Sequence, residues 1–220
     1  MSVYETWILP PIIDLVMRQK HLADYRSRVV GAARGRVLEV GVGSGLNFPY
    51  YGDQVEHVFG LDPSPRLLAI ATQRAAAARI PIDLALGSAT AIPLGDSSVD
   101  TIVMTWTLCS IPDPAAALRE MRRVLKPGGR LLFVEHGLSP EPDVVRWQHR
   151  LTPVWRRVAG GCHLDRKMDE LMRAAGFDLS QLQTGYAPGP RPMTFMYQGC
   201  ACALAPKDAQ REAPLTRSGS

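Results

Sequence analysis

From residue 35 onward, short apolar runs alternate with longer segments of helical periodicity. Runs rich in β-branched residues predict five strands, at residues 36–40, 57–61, 82–86, 100–105 and 130–135. Segments 65–78 and 114–125 predict helices, because each starts at a capping residue followed by proline, at Ser64 and Asp113. Near-continuous apolar strands separated by helices are typical of a parallel sheet covered on both faces.

Residues 12–29 have apolar positions at roughly helical intervals, with basic residues between them. This pattern predicts an N-terminal helical cap over residues 1–34. Two interpretations remain open for it: a helix packed over the open side of the domain, or a basic helix in peripheral contact with an anionic membrane surface.

The region after the fifth strand breaks the alternation. Residues 137–163 are rich in Pro, Trp and Arg, which predicts a helical, lid-like insertion. A further helix is predicted at 165–175, with Asp165 as its N-cap. Two last strands, near 179–184 and 193–204, complete the predicted sheet, the final one antiparallel.

With 220 residues, of which 46% are hydrophobic, the chain is long enough for one ordinary domain. We therefore expect a single α/β domain over residues 1–204, with a doubly wound, mostly parallel sheet of seven strands. The polar, turn-rich segment 205–220 predicts a disordered tail.

Charge and cysteine usage narrow the class of partner. The net charge is +4, but the basic residues are spread along the chain, so nucleic acid is not expected as a partner. The four cysteines lack framework spacing, which favours reduced thiols in a cytoplasmic protein. Cys200 and Cys202 have no second pair at zinc spacing, so they predict strand thiols and no metal site.

The N-terminus lacks the pattern of a secretory signal. The most apolar segment, residues 7–17, is interrupted by two prolines and an acid and is shorter than the ~20 residues that span a bilayer. These features predict a cytoplasmic location, with peripheral membrane contact as the alternative for the N-terminal helix.

The stretch LEVGVGSGLNF, residues 38–48, predicts a ligand-binding turn between the first strand and a helix. The dinucleotide fingerprint is G-x-G-x-x-G, whereas Gly41, Gly43 and Gly45 are spaced G-x-G-x-G and follow the acid Glu39. A second acid, Asp62, ends the next strand, where a carboxylate can accept ribose hydroxyls. Two acids favour a cationic ligand with a ribose and no phosphate, and S-adenosylmethionine fits this description.

The motifs EVGVGSGLNF, GLDPS, GSATAIPLGDSSVDTIV and REMRRVLKPGGRLLFVE together resemble those of class I S-adenosylmethionine-dependent methyltransferases, nearest to the ubiquinone and menaquinone branch. The resemblance implies a Rossmann-like methyltransferase fold. The later pieces TWTLCSI, VEH, WQHRLTPVWRRVAGGCHLDR and APGPRPMTFMYQGCA resemble membrane-anchored thiol methyltransferases. That resemblance implies a small thiol or sulfide as the methyl acceptor. The apolar N-terminal segment of the anchored enzymes is not found in this sequence.

The predicted cofactor-binding residues lie in the glycine loop and at the ends of the next strands. They are Glu39, Gly41, Gly43, Gly45, Asp62, Pro63, Ser88, Ala89 and Thr105. Many relatives have an acid at the position of Ser88 and Ala89, near the adenine amino group. Here the Ser88 hydroxyl or the Ala89 backbone would take over that contact.

The predicted acceptor pocket follows the fourth strand. Trp106 and Cys109 are expected as its walls and Trp147 as part of its roof. His136 and His163 are the candidate catalytic groups, as a base or to orient the acceptor, and a capping or hydrogen-bonding role stays open for each.

The absence of a clear base favours a thiol acceptor, because a few per cent of a thiol with pKa near 8.5 is already thiolate at pH 7. Two alternatives remain: a lipid-like acceptor, either a quinone precursor or a phospholipid headgroup, and a protein that binds the cofactor without catalysis. The oligomeric state is not predicted.

Overall fold

The computed structural model describes residues 4–204, so the predicted disorder of 205–220 lies outside the described residues. Seven strands form one sheet in the order β3-β2-β1-β4-β5-β7-β6. The strands are β1 Gly35–Val40, β2 Val55–Asp62, β3 Ile82–Leu86, β4 Val99–Thr105, β5 Leu125–His136, β6 Phe177–Tyr186 and β7 Phe195–Ala203. The predicted seven-stranded α/β fold is confirmed.

The pairing of the strands is mixed. The first five strands pair in parallel, whereas β7 runs antiparallel to both β5 and β6, as predicted for the final strand. β5 starts five residues before the predicted strand because Leu125 already pairs with Val99, and the ladder resumes at Arg130 after an irregularity. The reversal of chain order between β1 and β4 places the carboxyl ends of these strands at a switch point, where ligands bind in such sheets.

Seven α-helices connect or flank these strands within residues 4–204. They are α1 Leu9–Met17, α2 Lys20–Val30, α3 Pro65–Ala75, α4 Pro114–Val124, α5 Pro142–Val158, α6 Met168–Ala174 and α7 Arg191–Thr194. Ser64 and Asp113 cap α3 and α4 as predicted, because their side chains accept the N–H groups of Leu67 and Ala116. The predicted insertion contains α5.

The predicted cap at Asp165 is wrong. α6 begins at Met168, its N-cap is Lys167, and no side chain accepts a capping hydrogen bond there. The Asp165 carboxylate instead lies 3.2 Å from Nδ1 of His149 and 3.6 Å from Nδ1 of His163. Its interaction with α5 and the following turn replaces the capping role.

The two faces of the sheet have separate apolar cores. On β4 and β5, Ile102, Met104 and Phe133 pack with the buried side chains of α4 and α6. The alternate positions Val103 and Leu132 pack with Val29 and Val30 of α2. This alternation follows the two-residue period of a strand, and it explains why helices are needed on both sides.

The N-terminal cap consists of two helices after a π-helical turn at Tyr4–Ile8, because extended backbone at Gln19 separates α1 from α2. Asp14 of α1 is buried and accepts hydrogen bonds from Arg74 at 2.7 Å, from Ser44 Oγ at 2.5 Å and from Arg18. Burial opposes ionisation of Asp14, yet these bonds outweigh it and lower its pKa to about 2. The carboxylate thereby ties α1 to the glycine loop and to α3.

Replacement of Asp14 by Ala should lower the free energy of unfolding by about 1–3 kcal/mol, because the buried carboxylate makes charge-assisted hydrogen bonds to groups on three segments. Urea denaturation at pH 7 measures the change. The matched control is Asp24→Ala on α2, whose side chain is exposed. Equal stability of the two variants would contradict the anchoring role of Asp14.

Candidate active site

A cavity of about 730 Å³ opens at the carboxyl ends of the central parallel strands. α1, the glycine loop, the loop after β4 and the end of α5 line it. Ten residues predicted from the sequence contribute to its wall: Gly41, Gly43, Asp62, Pro63, Ser88, Ala89, Thr105, Trp106, Cys109 and His136. The structure therefore brings most of the predicted site together in one place.

The glycine loop wraps closely around the end of β1. Gly41 has φ 72°, and a Cβ at this position would collide with the side chain of Thr107. Only glycine tolerates both the left-handed backbone and the close approach. Gly45 has φ 79° and faces the Phe48 ring, so it shapes the turn without lining the cavity.

Asp62 ends β2 and is only 6% exposed. Its Oδ2 accepts the N–H of Gly43 and its Oδ1 accepts the N–H of Ser64, both at 2.8 Å. Burial raises the pKa of Asp62, and these two bonds act against that rise. A carboxylate has about four acceptor positions, so Asp62 holds the loop and keeps acceptor capacity for hydroxyl groups in the cavity.

Glu39, predicted to bind the cofactor, lies behind the cavity wall. Its side chain is 1% exposed and does not line the cavity. One carboxylate oxygen accepts Nδ2 of Asn47 at 2.9 Å and the other accepts the Tyr51 hydroxyl at 2.7 Å. Burial raises the pKa of Glu39 to about 7, although these bonds and Arg26 oppose the rise. Glu39 therefore supports the segment after the glycine loop through Asn47 and Tyr51.

Asn47 is a site residue that the sequence interpretation missed. Its Nδ2 also donates to Thr105 Oγ1 at 3.0 Å, which leaves Oδ1 as a buried oxygen without a partner among the described residues. Asn47 lines the cavity beside Gly43 and Asp62. An unpaired amide oxygen at this place suits a cationic group such as an ammonium. Its position two residues after the last glycine was the available signal.

Glu135 is a second missed residue, and it shapes the loop after β4. Its fully buried carboxylate accepts the N–H groups of Thr107, Leu108 and Cys109 at 2.8, 3.0 and 3.2 Å. Burial raises the pKa of Glu135, and these backbone hydrogen bonds oppose the rise. The loop is therefore held to the end of β5 rather than left free.

Trp106 precedes this loop and has a left-handed backbone, with φ 52°. The guanidinium carbon of Arg26 lies 4.9 Å from the centre of its ring.

Cys109 and His136 meet a third residue, Cys162, which the sequence interpretation did not include. The two sulfur atoms are 3.3 Å apart, and Cys162 Sγ lies 3.6 Å from Nδ1 of His136. All three residues line the cavity, and both cysteines are buried. They come from the loop after β4, the end of β5 and the turn after α5, so only the folded chain brings them together.

Trp147 and His163 do not reach the cavity. Trp147 is 54% exposed on α5, with Arg150 over its ring, whereas Trp155 lines the cavity from a later turn of the same helix. The prediction for Trp147 is therefore corrected: a different face of α5 points inward. The His163 ring lies beside Asp165, outside the cavity wall. Burial, Arg166 and Arg156 lower the pKa of His163.

Residues 38–133 match a family model described as "Methyltransferase domain". The chain contains a methyltransferase domain. It runs from β1 through β5 and includes the glycine loop, Asp62 and the loop after β4. The match indicates S-adenosylmethionine as its cofactor, as predicted. The unpaired Asn47 oxygen and the acceptor capacity of Asp62 fit that molecule's ammonium and ribose.

The chain is also similar in sequence to curated methyltransferases. The thiol S-methyltransferase TMT1B of Rattus norvegicus is 36% identical over 159 residues, which cover 70% of this chain and 64% of the relative. The human TMT1B is 35% identical over 167 residues, covering 72% and 66%. The demethylmenaquinone methyltransferase of Renibacterium salmoninarum is 40% identical over 107 residues, covering 48% and 44%. The chain thus spans just under two thirds of the thiol methyltransferases that it matches.

Solved structures of other proteins share the fold of this chain. The [4+2]-cyclase SpnF aligns with a TM-score of 0.66 at 21% identity, covering 84% of this chain and 80% of the other. A SAM-dependent methyltransferase of Thermotoga maritima aligns with a TM-score of 0.64 at 24% identity, covering 92% of this chain and 98% of the other.

Within residues 4–204, none of the helices combines the length and the apolar character that a membrane span requires.

The raised pKa of Glu39 predicts a pH-dependent stability. Because the folded protein binds this proton more tightly than the unfolded chain, the stabilisation is complete below about pH 4.5 and is lost as the pH rises to about 7. The Glu39→Gln variant has no such titration. The free energy of unfolding of the wild type, measured relative to that of the variant, should therefore decrease as the pH is raised from about 4.5 to about 7.

Urea denaturation of both proteins across this pH range measures the difference, with the exposed Glu56→Gln on β2 as the control. A constant difference between the wild type and Glu39→Gln would contradict the burial effect.

Proposed function

We propose that this protein transfers a methyl group from S-adenosylmethionine to a small thiol or sulfide by in-line displacement. The cavity carries this proposal. Part of its lining, the polar wall, consists of groups of the glycine loop, Asn47 and Asp62, and another part, the apolar wall, includes Cys109, Ile111 and Trp155. The names of the TMT1B relatives support a thiol acceptor.

The polar wall is suited to bind and orient the cofactor. In this proposal Asp62 accepts the ribose hydroxyls, supported by its position at the end of β2, and Oδ1 of Asn47, which has no partner among the described residues, accepts from the ammonium. Pro63, Ser88 and Ala89 line the adjoining part of the cavity, where the adenine would lie. Ser88 Oγ is 2.8 Å from Thr90 Oγ1. A hydroxyl keeps further hydrogen-bonding capacity, so the Ser88 hydroxyl and the Ala89 backbone N–H are both candidates to contact the base. When bound, the cofactor supplies an electrophilic methyl group on a sulfonium.

The apolar wall is suited to the acceptor. Positive charge disappears as a sulfonium transfers its methyl group, so an apolar, water-poor pocket favours the reaction. A thiol also needs less help from a base than a phenol or a quinol. Of the two candidate histidines, His136 lines the cavity and His163 does not, so His136 is the candidate at the acceptor side.

The test is an acceptor screen with S-adenosylmethionine, hydrogen sulfide and short alkyl thiols, with products identified by mass. Methylated thiols should form. The Asp62→Ala variant should bind the cofactor about 10–100-fold more weakly, because it loses hydrogen bonds to a charged acceptor. Calorimetry measures this change, and Asp83→Ala, a largely exposed carboxylate on β3, is the control.

The outcomes separate the alternatives. Cofactor binding without transfer to any thiol would contradict the thiol proposal. If a broad acceptor panel also gave no product, a binding protein without catalysis would be supported. Absence of cofactor binding would contradict all of the methyltransferase proposals.

A lipid-like acceptor, either a quinone precursor or a phospholipid headgroup, is the second candidate function. α1 and the preceding turn expose apolar side chains, including Trp7 at 60% and Leu15 at 70%. Their neighbours Ile12 and Val16 are also exposed and line the cavity. Apolar surface at a cavity entrance is suited to an amphipathic acceptor held at a lipid surface. The demethylmenaquinone methyltransferase relative is consistent with this alternative.

Co-sedimentation with anionic liposomes tests membrane contact. The wild type should sediment, and Leu15→Glu should reduce the bound fraction, because a charge on the exposed face of α1 opposes insertion. The control is Leu204→Glu, an exposed apolar position that directly follows β7 and does not line the cavity. No binding of the wild type, or an equal loss in both variants, would contradict this candidate.

A further inference from the structure

Cys109 and His136, which line the proposed acceptor side of the cavity, form a cluster with Cys162, a residue that the proposed function does not use. Their potential ligand atoms all lie within 4.8 Å of one another. Among the described residues, this is the one group of three His, Cys, Asp or Glu side chains with such spacing. Two thiol groups and an imidazole are the donor set that thiophilic divalent ions prefer.

The spacing of the cluster is compatible with a tetrahedral metal site. With Zn–S near 2.3 Å and Zn–N near 2.0–2.1 Å, tetrahedral ligands lie about 3.5–3.8 Å apart. The observed Cys162 Sγ to His136 Nδ1 distance is 3.6 Å, and the distance between the two sulfur atoms is 3.3 Å. The pair of Cys162 and His136 thus already has tetrahedral spacing, the two sulfur atoms are about 0.5 Å closer than tetrahedral ligands, and all potential ligand atoms lie within 4.8 Å of one another.

The fold holds the three residues in place from behind. The His163 N–H donates to the Cys109 carbonyl at 2.8 Å and so joins the turn that carries Cys162 to the loop that carries Cys109. Glu135 accepts the Cys109 N–H, and His136 follows Glu135 on β5. Arg166 donates to the Leu108 and Ile111 carbonyls, which fixes the same loop from its other side.

We propose that Cys109, His136 and Cys162 bind a Zn²⁺ ion whose fourth coordination position faces the cavity. Two thiolates neutralise the ion, so the resulting centre suits the apolar wall. Three protein ligands with one open position are the pattern of catalytic rather than structural zinc sites.

The acceptor part of the proposal rests on the proposed function. The thiol of the acceptor replaces water at the open position and releases its proton to solvent, so the bound sulfur is a thiolate. This sulfur forms a bond to the methyl carbon while the bond between that carbon and the sulfonium sulfur breaks. The thioether then leaves, and the oxidation state of the metal does not change.

Metal binding is tested on the reduced full chain, freed of metal by a chelator and then titrated with Zn²⁺ or Co²⁺. One equivalent of metal should bind per chain, and cobalt should show thiolate-to-metal charge-transfer absorption. Cys162→Ser should weaken binding at least about tenfold and remove part of that absorption. The Cys200→Ser, Cys202→Ser double variant is the matched control, because these cysteines lie on β7 outside the cluster.

Far-UV circular dichroism of Cys162→Ser shows whether the variant is folded, and Cys109→Ser provides a second test of the same site. Binding of no metal by the wild type, or equal affinity in the wild type and the cysteine variants of the cluster, would overturn the proposal. A Cys109–Cys162 disulfide in the isolated protein, combined with no metal uptake after reduction, would assign the pair to redox chemistry and would also overturn it.

Methyl transfer is measured separately, so the two proposals can fail independently. If metal binds but no thiol is methylated, the metal site stands and the acceptor assignment falls. If thiols are methylated equally with and without metal, the thiol methyltransferase stands and the role of zinc in activating the acceptor falls.

Discussion

Buried carboxylates at the strand ends are the constraint around which the cavity is built. Asp62 is the last residue of β2, and Glu39 and Glu135 are the second-to-last residues of β1 and β5. All three side chains are nearly or fully buried. A desolvated carboxylate is costly unless it accepts hydrogen bonds. Each therefore draws donors from the loops beside it: Asn47 and Tyr51 for Glu39, the N–H groups of Gly43 and Ser64 for Asp62, and three consecutive loop N–H groups for Glu135.

The same constraint extends to the elements that cover the cavity. Asp14 joins α1 to Ser44 of the glycine loop and to Arg74 of α3, so the cap and the loop are held by one buried carboxylate. On the other side, the hydrogen bond from His163 to Cys109 joins the turn after α5 to the loop after β4. The wall facing the acceptor thus depends on contacts between segments that are far apart in the chain.

The sequence was most informative where structure depends on neighbouring residues. The capping residues Ser64 and Asp113, the parallel strands and the glycine turn follow from spacing over a few positions, and the structure confirms these elements. The sequence was less informative where an acidic side chain had more than one available partner. Glu39 was assigned to a ligand and Asp165 to a helix cap, because residue type alone does not show which neighbour the carboxylate reaches.

Taken alone, the sequence determined the α/β class and a cofactor with ribose and positive charge, because local periodicity and short motifs encode them. Only the tertiary structure decided that Glu39 lies behind the cavity wall and that Trp155 rather than Trp147 lines the cavity. It also decided that Asn47 Oδ1 has no hydrogen-bond partner among the described residues. It also brought Cys109, His136 and Cys162 together across 53 residues of chain. Such convergence depends on how distant segments pack, and no spacing within one segment records it.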